Sequence, residues 1–191
     1  TQDAEGFYII DTPEKLVYIA SFATANPKTN IRITADLDMV GVTEKYTPIT
    51  NNYSGIFDGG GHTISNLVII RPTTTNQALI GTAGNCTVKN LTLDETCYIE
   101  GAGYTAGFVG QTNGAVTIYL EGLVMHGSVT ANGINAAGIW GCNMANAATA
   151  YIKNCGVTGA IKGNDQTSAF SGYAGTGGKT VLENCWFISE H

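Results

Sequence analysis

The sequence predicts an all-β fold, a single-stranded right-handed parallel β-helix (solenoid) with a short N-terminal capping helix, and three observations carry that prediction. The first is a seven-residue phrase written five times, TISNLVI at 63–69, TVKNLTL at 87–93, YLEGLVM at 119–125, YIKNCGV at 151–157 and VLENCWF at 181–187. Its central residues, Asn66, Asn90, Gly122, Asn154 and Asn184, lie 24, 32, 32 and 30 positions apart, a period that marks a repeat architecture. The second is a further pair of recurrent phrases between these copies. Ala78–Gly81, Gly107–Gly110, Gly138–Gly141 and Ala169–Gly172 form one set; Tyr98–Gly101, Ser128–Ala131 and Ala160–Gly163 form the other. Three short strands per coil, none able to bury its apolar side alone, stack into a continuous core. The third is composition: 25 glycines against 4 prolines fit many strands joined by tight turns. Right-handed coiling follows from the handedness of parallel crossovers.

Each element has its own signal. At the N-terminus Thr12 reads as an N-cap, Pro13 as the first helical residue and Glu14 as a first-turn acid, opening a helix over about 13–24. Leu16, Ile19, Ala20 and Ala23 give it one apolar face, which is expected to cover the open N-terminal end of the stack. Residues 1–30 thus form a cap and 31–191 the coils of a single domain, with the alternating stretch Ile31–Met39 as the first strand.

In the coils, three columns are apolar and face inward. They are Ile64, Val88, Leu120, Ile152 and Leu182; then Leu67, Leu91, Leu123, Cys155 and Cys185; then Ile69, Leu93, Met125, Val157 and Phe187. The first two are three residues apart rather than two, which breaks strand alternation and requires a bend between them. The bend falls on the Asn/Gly column. Both residue types tolerate the left-handed region, so the column reads as a structural corner, with side-chain hydrogen bonds between stacked asparagines. The outward column Ser65, Lys89, Glu121, Lys153, Glu183 alternates in sign over its last four members and reads as register control. Cys155 and Cys185, standing where other copies have leucine, read as core thiols.

A formal charge of −6 with nine scattered Lys and Arg leaves no footprint for nucleic acid, and no stretch approaches the roughly 18 to 20 apolar residues of a membrane span. No Cys-x-x-Cys pair or calcium-loop pattern points to a metal, and no cofactor is expected. Asp58 and His62 flank three glycines. They form an acid/base pair on paper, but the turn, with the carboxylate on backbone N–H groups or on the imidazole, explains them as structural residues. Asp36 and Asp38, and the Asp94–Glu95 pair, are weak calcium candidates for the same lack of a loop motif. Tyr119 and Tyr151 share an outward column on successive coils and are the candidate ligand-binding residues, suited to a sugar or a protein surface.

The stretch 55–67, GIFDGGGHTISNL, resembles the G-x-F-D-G-x-G-H-x-I-x-N-L signature of GLUG-type repeats found in cell-surface and secreted bacterial proteins. Gly107–Gly110 and Gly138–Gly141 resemble the same family's G-G-I-V-G phrase, though Ala78 and Ala169 replace its first glycine. The resemblance implies an extracellular or surface-anchored, adhesin-like scaffold that binds a host or dietary glycan or a protein partner. Two alternatives stand beside it. One is a polysaccharide-degrading lyase or glycosidase, disfavoured because only Arg32 and Arg71 are arginines and the exterior acids sit in the ladder. The other is a structural stalk or spacer, whose last strand would offer a bare C-terminal edge for contact.

Overall fold

The computed structural model describes residues 1–143 and 147–188. It is a parallel β-solenoid whose longer strands lie on three faces, with Thr105–Ala106 and Ala136–Ala137 pairing as a further two-stranded sheet. The long face runs in the order Phe7–Ile10, Asn30–Ile33, Ile56–Ser65, Cys86–Leu93, Thr117–Met125, Thr149–Lys153, Lys179–Glu183. A second face stacks Ile80–Ala83, Val109–Thr112, Trp140–Asn143 and Ser171–Tyr173; a third stacks Val68–Arg71, Tyr98–Gly101, Ser128–Ala131 and Ile161–Lys162. Every pairing between these strands is parallel. Coil-to-coil hydrogen bonding therefore runs the length of the molecule, and side chains at equivalent positions stand in columns about 4.8 Å apart.

One hydrophobic cluster threads the coils, from Leu16 and Ile19 of the helix through Phe57, Val88, Leu120 and Ile152 to Phe170. The helix spans Pro13–Ala25, with the Thr12 hydroxyl accepting from the Lys15 amide and Pro13 in the first turn. Leu16, Ile19, Ala20 and Ala23 are its buried residues. It joins two parallel strands rather than preceding the first one. Phe7–Ile10 already pairs with Asn30–Ile33, so the stack begins one strand earlier than the alternation at Ile31–Met39 implies. That alternating stretch is itself two strands, Asn30–Ile33 and Leu37–Asp38.

Register corrects the alignment of the first repeat copy. Val88 and Lys89 lie beside Phe57 and Asp58, whereas Leu91, Thr92 and Leu93 lie beside His62, Thr63 and Ile64. Two extra residues are absorbed between Asp58 and His62, where the register shifts. Glycine makes that bulge feasible. A Cβ on Gly59 would stand 2.3 Å from the Asn90 carbonyl oxygen, and Gly60 and Gly61 hold φ of +63° and +82°. The first inward column is therefore Phe57, Val88, Leu120, Ile152, Leu182, and the third is Ile64, Leu93, Met125, Val157, Phe187. Val68 and Ile69, placed with the long face by the sequence phrase, turn onto the third face against Tyr98 and Ile99.

The corners are left-handed. Asn66, Asn90, Gly122, Asn154 and Asn184 have φ of 57°, 56°, 62°, 55° and 51°. Asn66 belongs to a different corner from the other four, at the entry to the third face. The asparagines bond less to each other than the column suggests: Asn184 Nδ2 donates to Asn154 Oδ1 at 3.4 Å, while Asn90 reaches Asp58 and Asn66 reaches Asp38. A second left-handed column, Asn76, Tyr104, Asn135 and Gln166 (φ 61°, 53°, 63° and 53°), precedes the second face and was not visible as a phrase.

Candidate functional site

On the outer side of the long face, alternate residues of each strand point away from the core. The column holding the candidate tyrosines reads Ile56, Thr87, Tyr119, Tyr151, Val181. Tyr119 and Tyr151 are in register, so their rings stack, with centroids 5.3 Å apart and planes 9° from parallel. They are 50% and 40% exposed, well above the buried residues on either side of them in the strands. Each ring spends one face on the other. Tyr119 then borders an open groove of about 410 Å³ lined also by Asn30, Ile56, Asn85, Thr87 and Thr117. The Asn85 side-chain oxygen accepts from the Thr117 amide at 2.8 Å, which fixes the groove wall across two coils.

Two residues further along each strand runs the charge column. With the register corrected, Asp58 replaces Ser65, and Arg32 joins above it. The ladder is thus Arg32, Asp58, Lys89, Glu121, Lys153, Glu183, alternating without a break. Ion pairs include Asp58 with Lys89 at 3.4 Å and with Arg32 at 3.8 Å, and Lys153 with Glu183 at 2.9 Å. Arg32 also binds Asp3 and Glu5, and its guanidinium lies 4.0 Å from the centroid of the Phe7 ring. Asp58 is 7% exposed. Burial opposes its ionisation, but the Gly60 amide, the Asn90 side chain and Lys89 outweigh burial and hold the carboxyl below its usual range.

The structure separates the acid/base pair posed by the sequence. Asp58 Oδ1 accepts from the Gly60 amide at 3.0 Å, whereas His62 Nδ1 meets Asp36 at 3.2 Å. Asp36 also accepts from the Thr63 amide, and this amide bond, then His62, lowers its pKa. Asp38 caps the Val40 amide and receives Asn66, while Asp94 receives Ser65 and Thr96. Every one of these carboxylates is engaged in fixing a turn. Among the described residues no cluster of three or more His, Cys, Asp or Glu is arranged to hold a metal, and no helix is long and apolar enough to cross a membrane.

Burial pushes the thiols of Cys86, Cys97, Cys142 and Cys155 up to about 12, which leaves none of the four poised as a nucleophile. All five cysteines are free, and Cys155 and Cys185 donate to the Leu120 and Ile152 carbonyls.

What remains on the long face is a charge-balanced ladder with an aromatic strip and a polar groove beside it. Fold and strip together define the class: a parallel β-solenoid with an exterior aromatic strip. No family model matches the chain, and no curated protein or solved structure matches it either.

Proposed function

We propose that this chain is a non-catalytic recognition scaffold, secreted or displayed at a cell surface, that binds glycan or a protein partner along the Tyr119–Tyr151 strip. The supporting observation is the stacked, half-exposed pair on a sheet hydrogen-bonded on both sides, next to a groove walled by Asn85, Thr87 and Thr117. Because the rings occupy each other's inner faces, a pyranose would lie against the outer face of Tyr119, its C–H groups on the ring and its hydroxyls toward the groove. Preorganisation favours this reading, since the backbone and the ring pair need no ordering on binding. The resemblance of residues 55–67 to GLUG-type repeats supports the surface location and the adhesin-like role.

The test is a glycan array followed by titration of any hit against Tyr119→Ala combined with Tyr151→Ala. Loss of an anchoring aromatic predicts affinity reduced by about tenfold or more, with the unfolding midpoint little changed. Equal binding by the double variant removes the strip from the site. Release of new chain ends from a polysaccharide panel favours the degrading-enzyme alternative instead.

A further inference from the structure

We infer that the groove beside Tyr119 is a slot for one uncharged pyranose ring, the terminal unit of a neutral glycan, which enters as the third rung of the tyrosine stack. The inference rests on the reading of the Tyr119–Tyr151 strip as a glycan site and names what that site accepts. A single outward column supplies the geometry: Ile56, Thr87, Tyr119 and Tyr151 stand in register on four successive coils. Two of them carry rings that stack 9° from parallel, and the next is a threonine, too short to continue the stack. Ile56 and Tyr119 are two coil spacings apart, about 9.6 Å, so the missing rung over Thr87 has the thickness of one ring lying flat against Tyr119. This is the groove of about 410 Å³. All four strands of the column are paired on both sides, so the gap belongs to the column and not to an end of the chain.

The walls decide which ring. Asn30 and Asn85 are built alike: Asn30 Oδ1 accepts from the Ile56 amide at 3.0 Å, and Asn85 Oδ1 accepts from the Thr117 amide at 2.8 Å. Each carboxamide oxygen is spent on the backbone of the next coil, which leaves Nδ2 as the donor of a residue that lines the groove. The Thr87 and Thr117 hydroxyls stand beside them. An aromatic side chain from a protein partner would strip water from these groups and return no hydrogen bond, whereas ring hydroxyls pair with them. No charged side chain lines the groove. The ladder cations on the same strands are already taken, Lys89 by Asp58 and Arg32 by Asp3, Glu5 and Asp58. A uronate or sialate carboxylate would therefore find no cation to replace its water.

Methyl β-glucoside and methyl β-galactoside, each beside the corresponding uronide that carries a carboxylate at C6, are titrated against the chain by saturation-transfer NMR. At least one neutral glycoside should bind, about fivefold or more tighter than its uronide. Thr87→Tyr fills the rung with a residue the column already holds twice and should weaken that binding about tenfold or more. Asn85→Asp keeps an acceptor for the Thr117 amide, removes the donor and should weaken it about fivefold; should Thr87→Tyr fail to fold, this variant decides. Unchanged affinity in either folded variant, equal binding of the uronides, no binding of either glycoside, or binding of N-acetyltyrosinamide in their place, as a protein partner would have it, overturns the slot. Where that happens and Tyr119→Ala with Tyr151→Ala still abolishes binding on the glycan array, the strip stands and the slot alone falls; where the double variant binds normally, both fall.

Discussion

Replacing Asp58 by Asn keeps the shape of the side chain and removes the charge that Lys89 and Arg32 share. At 3.4 Å and 3.8 Å, with an effective dielectric of about 20, the two attractions amount to roughly 5 and 4 kcal/mol gross. Desolvation of a carboxylate whose side chain is only 10% exposed cancels much of this. The Gly60 amide keeps an acceptor, and Arg32 keeps Asp3 and Glu5. A net loss of about 1.5 to 3 kcal/mol is therefore expected, typical of a hydrogen-bonded buried charge. Urea titration followed by circular dichroism reads it as a lower midpoint at constant slope.

The pH dependence has a defined sign. Because the folded pKa of Asp58 is depressed, its contribution is fully present above the unfolded value near 3.9 and is lost as pH falls through the folded pKa. The gap between the native chain and Asp58→Asn should hence be widest at neutral pH and close on acidification. Lys89→Met in a double-mutant cycle should couple to Asp58→Asn by about 1 kcal/mol. A loss under about 0.5 kcal/mol, or no coupling, would refute the view that the ladder stabilises the stack.

Other perturbations test other columns. Gly122 sits at φ +62° with its hypothetical Cβ 3.1 Å from Asn90 Oδ1, so Gly122→Ala should cost about 1 to 2 kcal/mol by thermal melt, whereas Asn154→Gly should be close to neutral. Gly156→Ala places a Cβ 2.2 Å from the Trp186 ring; a shift in tryptophan emission should accompany displacement of the indole, and unchanged emission would contradict the packing. Thiol titration of the native chain should find one fast group, the half-buried Cys185, and four that react only on unfolding.

The repeat was readable because a solenoid writes its core as columns. Val88, Leu120, Ile152 and Leu182 align by eye, and the structure keeps them in one row. The helix was readable from Thr12-Pro13-Glu14 for an equally local reason. The first coil was misaligned because TISNLVI matches the phrase in type while the backbone pairs on FD-GGG-H; a glycine bulge conserves hydrogen bonding but not residue spacing. The signal was present in the triplet itself, since Phe57-Asp58 precedes it as Val88-Lys89 precedes Asn90. The Asn76/Tyr104/Asn135/Gln166 corner escaped because its side chains differ and only φ is shared. For the candidate site, the outward direction of Tyr119 and Tyr151 followed from strand parity, but the ring stack depends on the facing geometry of the next coil and the groove on side chains from several coils.

The unbroken alternation from Arg32 to Glu183 also constrains how such a molecule can change length. Excising the coil that carries Glu121 would abut Lys89 on Lys153, like upon like. Excising that coil together with its neighbour bearing Lys89 would abut Asp58 on Lys153 and leave every junction attractive. Growth and shrinkage by whole coils are therefore subject to a parity rule, with coils gained or lost most readily in pairs.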